Sequence, residues 1–136
     1  MKTTNYYNTF IHIAEDCPVK SGEIPPQKND EKTAAVIQFE MIKQNPYKFT
    51  SDDILFKVYA IKNKISSKEN EREKEKFFSK GQPCFRSSPL TKRYGWGVHS
   101  NAEGKIAIYN VESAEYKKFS NDKNLKQLKA MRSKRI

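Results

Sequence analysis

Between Ser79 and Gly104 the chain gathers most of its reactive and flexible residues: Cys84, His99, the only tryptophan and four of five glycines, with no acid before Glu103. Arg86, Lys92 and Arg93 alternate there with Ser87, Ser88 and Thr91. Such a mixture suits an anion. A guanidinium grips a phosphate or carboxylate with two parallel bonds, an ammonium adds a point charge, hydroxyls donate, and glycines let backbone N–H groups approach. Arg86, Ser87, Ser88, Lys92 and Arg93 are therefore the expected ligand-binding set. The expected ligand is a phosphate-bearing small molecule or nucleic acid. For nucleic acid, Tyr94, Trp96 and Tyr109 would have to be exposed to stack on bases.

A second chemistry uses Cys84 as a nucleophile and His99 as its base, with Asp16 or Asp52 orienting the imidazole and Arg86 steadying an anionic substrate. The plainer reading makes Cys84, between Pro83 and Phe85, a small buried hydrophobe and His99 a hydrogen-bonded strand residue. Binding is thus preferred to catalysis. His12, Cys17, Cys84 and His99 are all the soft metal ligands in the chain, but only His12 and Cys17 are near neighbours. Structural zinc sites use close ligand pairs, so no metal is assigned, and no cofactor motif is present.

The charge supports an anionic partner. The net charge is +10, and its distribution is uneven: residues 1–68 hold ten bases against eight acids, residues 69–136 sixteen against eight. A surplus of this kind attracts polyanions, and it also simply favours solubility. Two cysteines are too few for a secreted disulfide framework. No run of 18 apolar residues exists, and the first residues lack the apolar stretch of a signal peptide. A cytoplasmic protein without a membrane segment is expected.

The elements that must position these residues follow from periodicity. Alternation over residues 6–14 predicts a strand; the proline-containing stretch over residues 15–29 predicts a long loop. Asp30 can cap a helix over 31–45 that stops at Asn45-Pro46. Thr50 and Asp53 form a capping-box pattern for a helix over 51–63, whose buried stripe is Ile54, Val58 and Ile61 with Leu55 and Tyr59. Carboxylates in that first turn favour the helix dipole and need no metal. Ser66 and Glu69 suggest another box, opening a charged helix over 67–79 anchored by Phe77 and Phe78. Strands over 93–100 and 105–111 flank Asn101–Gly104, a hairpin turn with glycine in the left-handed region. Gly95 and Gly97 share a strand face with His99, so backbone or ligand must come close there. Helices over 113–119 and 122–134 complete the chain, the second using Leu125, Leu128 and Met131 and ending in a basic tail, 132–136, where fraying is expected.

These elements describe one α+β domain, residues 1–136, with a small antiparallel sheet of about three strands packed by four or five helices. TTNYYNTFIHIAEDCPV, NPYKFTSDDILFKVYA, FFSKGQPCFRSSPLTKRYGWGVHSNAEGKIAIY and KAMRSKR resemble stretches of a family of small, mainly bacterial proteins built on a domain of unknown function. The resemblance spans essentially the whole chain and implies a single conserved domain, without implying an activity. A protein–protein module using the charged helix at 69–76 and the basic tail is the remaining function class.

Overall fold

The computed structural model describes residues 2–27 and 31–133. β1 (Thr9–His12) is shorter than the alternating run that predicts it, and residues 13–27 contain no helix or strand. Thr33 caps α1 (Ala34–Gln44), its hydroxyl accepting the Val36 N–H at 3.3 Å; Asp30 lies outside the described residues. α2 (Ser51–Lys62) opens on the expected capping box, in which Thr50 accepts from the Asp53 N–H at 3.1 Å and Asp53 accepts from the Thr50 N–H at 3.0 Å. The second box does not form. Ser66 donates to the Glu69 carboxylate instead, and a single 3-10 turn at Ser67–Glu69 leads into α3 (Asn70–Ser79). Phe78 is fully buried and joins Phe56 and Ala60 in a small cluster that docks α3 on α2.

Pro89 sits at the start of a one-turn helix, α4 (Pro89–Lys92), where its missing N–H costs nothing and Ser88 supplies the cap to Leu90. β2 (Trp96–Ser100) and β3 (Ile106–Asn110) form the expected hairpin, with Gly104 at φ +80° and the Asn101 side chain accepting two turn N–H groups. α5 (Ala114–Ser120) follows. The segment expected to be a final helix is instead β4 (Lys126–Lys129), paired in parallel with β1. Leu125, Leu128 and Met131, three residues apart, fit a helix, but the outer edge of β1 needs partners for its N–H and C=O groups. Lys126 and Ala130 donate to Asn8 and His12 across that edge.

The sheet therefore has four strands in the order β3-β2-β1-β4, antiparallel except for its last pair, and the domain is α+β. α5 carries the chain from one edge to the other. In register, Ile11, Val98, Ile108 and Leu128 share one face; Phe10, His99, Ala107 and Gln127 share the other. The first face packs on Ile42, Ile54, Phe85 and Leu90 to make the main core, and the second lies under Tyr116 and Phe119 of α5. Gly97 is required beneath that helix: a Cβ there would meet Tyr116 at 2.5 Å and Phe10 at 2.7 Å. Protein, rather than a ligand, makes the close approach that the strand glycines imply. Among the described residues, no helix is long and apolar enough to cross a membrane.

Candidate functional site

The basic segment divides where α4 turns. Thr91, fully buried, donates to the carbonyls of Phe85 and Ser88 and locks the turn, so that Lys92 and Arg93 emerge together at its C-terminal end. They face the first turn of α1. Lys92, Arg93, Tyr94, Ser87, Ser133 and the Thr33–Ala35 start of α1, with Pro26 and Pro89, line an open cavity of about 410 Å³. No carboxylate is among these residues, and the first turn of α1 carries no acid. Neither Lys92 nor Arg93 is within ion-pair distance of a described carboxylate. Arg93 lies over the Tyr94 ring, 5.8 Å from its centroid, which keeps the guanidinium beside the cavity.

The N-terminus of α1 adds to this field. Thr33 takes the Val36 N–H, while the N–H groups of Ala34 and Ala35 precede any intrahelical acceptor and point out of the helix end. That end carries a partial positive charge of roughly half a unit. Two full cations, one helix end and two serine residues around a cavity with no carboxylate among its described lining residues give an arrangement suited to an anion of small-molecule size.

Sequence reasoning named Ser87, Lys92 and Arg93 for this role, and the structure brings them together. Arg86 and Ser88 it places elsewhere. Arg86 donates from Nε to the Lys129 carbonyl at 2.8 Å and its own carbonyl accepts from Met131, so it fastens the end of β4. Ser88 is buried; its hydroxyl donates to Gln38 at 2.6 Å and caps α4. Ser87 also donates to the Met131 sulfur at 3.0 Å. The helix start at Thr33–Ala35 was missed because its nearness to Lys92 comes only from tertiary packing. The basic tail is also partly engaged: Arg132 and Lys129 reach Glu15 at 3.0 and 3.4 Å, holding its carboxyl below the usual range, and the Ser133 N–H donates to Asp16. Residues 134–136 lie outside the described residues.

Cys84 and His99 do not form a pair. His99 lies on the α5 face of the sheet, stacked on Phe119 with ring centroids 4.1 Å apart, and its Nδ1 is 2.7 Å from the Tyr47 hydroxyl. Tyr47 bonds in turn to Tyr109 at 2.8 Å, and burial together with that bond raises its pKa strongly. Burial lowers the pKa of His99, with the charge of Asp122 opposing the shift, so the neutral imidazole is favoured over the charged one. Cys84 is on the opposite side, next to buried Phe85, its sulfur 3.2 Å from the Tyr6 hydroxyl. Burial and this contact push the Tyr6 phenol up to about 12 against the opposing pull of Arg86. The thiol borders an apolar cavity of about 310 Å³ that Leu55, Val58, Tyr59 and Phe77 help to line.

The carboxylates proposed to orient His99 are engaged elsewhere. Asp52 accepts from the Thr3 hydroxyl and from both the N–H and hydroxyl of Thr4, each at 2.7 Å, tying the N-terminal arm to the start of α2. No group of three or more potential metal ligands is assembled among the described residues. Trp96 is buried, donating to the Glu23 carbonyl at 2.8 Å, and cannot serve as a stacking platform.

Comparison with protein families matches one family model, described as a family of unknown function, DUF6157, to residues 1–136. The chain belongs to that family. DUF6157 membership covers the whole chain, in agreement with the resemblance carried by the sequence stretches above. No curated protein and no solved structure matches.

Proposed function

We propose that this DUF6157 protein binds a small anionic ligand, a phosphate ester being the best fit, in the cavity between α4 and the start of α1. One observation carries the reading: Lys92 and Arg93, without carboxylate partners among the described residues, converge with an acid-free helix N-terminus on one cavity. Charge-assisted bonds from a guanidinium and an ammonium supply affinity, and the backbone N–H groups of the first turn supply orientation. A volume of about 410 Å³ suits a small molecule, and the burial of Trp96 removes one of the three aromatic rings on which a single-stranded nucleic acid would stack.

Calorimetric titration with glycerol phosphate and with a single-stranded oligonucleotide, at low and at physiological salt, tests this. Glycerol phosphate is expected to bind, and the double substitution Lys92→Ala/Arg93→Ala to weaken it by about tenfold or more. Absence of binding, or binding indifferent to the substitutions, overturns the proposal. Tighter, steeply salt-dependent binding of the oligonucleotide would favour a nucleic-acid function instead.

A further inference from the structure

Away from the anion cavity, α1, α2 and the start of α3 frame two open depressions of about 750 and 810 Å³ that share Met41, Ile61 and Lys64 and so form one groove. Its floor is apolar. Ile37 and Met41 lie in one half, Phe49, Phe56 and Ile65 in the other. Ile61 stands between them with 49% of its surface exposed, although its position in α2 continues the stripe of Ile54 and Val58 that the core buries. The apolar stripe of α2 thus extends past the surface that the fold covers.

The rim is basic and unbalanced. Lys32 is paired with Glu40 at 2.9 Å and Lys74 with Asp53 at 4.0 Å, but Lys48, Lys57, Lys62 and Lys64 have no carboxylate within ion-pair distance among the described residues. Among the described residues, Glu31 is the one further acid on the lining. An occupant that matches this surface must bring apolar side chains to the floor and carboxylates to the rim. A second copy of the chain would bring the same lysines, and like charges facing one another oppose a symmetric contact. A flat bilayer does not follow a concave floor, whereas an amphipathic helix fills such a groove with anchors at positions i, i+3, i+4 and i+7.

We infer that the groove across α1, α2 and α3 docks an acidic amphipathic segment of a partner protein, its apolar side chains over Met41 and Ile61 and its carboxylates against Lys48, Lys57, Lys62 and Lys64. This surface is independent of the anion cavity.

The test uses the full chain and fluorescein-labelled synthetic helical peptides read by anisotropy. One peptide carries leucines at helical spacing with glutamates elsewhere; a second replaces the leucines by glutamines, and a third the glutamates by lysines. Vesicles of phosphatidylcholine with phosphatidylglycerol form a further arm. The Glu/Leu peptide is expected to bind in the micromolar range and the two controls to fail. Ile61→Asp, at an exposed position where folding is preserved, and Lys57→Glu/Lys64→Glu are each expected to weaken binding by about tenfold or more. Four results overturn the inference: no binding of the Glu/Leu peptide at millimolar concentration, equal binding of the glutamine control, affinity unchanged by both substitutions, or Ile61-dependent binding of vesicles without binding of the peptide.

Discussion

On the α5 side of the sheet, His99 lies flat on Phe119, Tyr47 bonds both His99 and Tyr109, and Gly97 leaves room for Tyr116 and Phe10. At the junction of α4 with α1, a few residues earlier in the chain, Lys92 and Arg93 border a cavity with no described carboxylate to pair with them. Both regions draw on the segment richest in chemically capable residues. In the first, packing accounts for each unusual residue; in the second, it leaves two cations without a carboxylate partner among the described residues. The comparison shows why residue type alone is a poor guide to a site. His99 is engaged by aromatic neighbours, while the nearby lysine and arginine border one open cavity.

The sharpest way to break this contrast is at Gly97. Alanine there places a methyl group against two rings, and overpacking of that kind costs about 1 to 3 kcal/mol, more than the roughly 0.5 to 1 kcal/mol that alanine regains over glycine in a strand. Chemical denaturation should therefore show Gly97→Ala destabilised. An unchanged or raised midpoint would mean that the α5 face is looser than described and open to a ligand.

A smaller effect is expected from His99. Its pKa lies below its usual value in the fold, so as pH falls through about 6.5 the unfolded chain takes up a proton that the native imidazole resists. Stability should be unaffected by this group well above that range and should decline as pH falls through about 6.5 and below. In His99→Gln the decline should be shallower. Identical pH profiles for the two proteins would remove the buried neutral imidazole from the account.

The smallest change in stability, with opposite effects on folding and binding, is expected at the other region. Ala34→Glu puts a carboxylate at the first turn of α1, where it favours the helix dipole by about 0.3 to 1 kcal/mol, yet it also places negative charge on the lining of the proposed anion cavity. A raised melting temperature with phosphate-ester binding reduced by about tenfold would separate ligand binding from stability. Retained affinity would move the ligand away from α1.

Much of the fold was legible in local signals. Thr50 and Asp53 announced α2, Asn101 and Gly104 announced the hairpin, and Phe77 with Phe78 marked the docked end of α3. The last element was not legible, because Leu125, Leu128 and Met131 satisfy helical spacing in a segment too short for periodicity to decide, and the choice was made by the unpaired edge of β1. Within the proposed site, Ser87, Lys92 and Arg93 could be named from charge and hydroxyl content. Arg86 looked equivalent until β4 supplied a carbonyl for it, and the start of α1 could not be connected to Lys92 without the tertiary fold. Asp52 gave no sign of its three bonds to Thr3 and Thr4, since its partners lie almost fifty positions away.

The proposed anion site lies at the junction of α1 with α4 and not on the α5 face. Titrating isotope-labelled protein with glycerol phosphate while following backbone amide resonances tests this directly. The largest shifts are expected at Ala34, Ala35 and Lys92 to Tyr94, with Gly97 and His99 almost unmoved. Shifts centred on His99 and Tyr109, or none anywhere at millimolar phosphate ester, would contradict it.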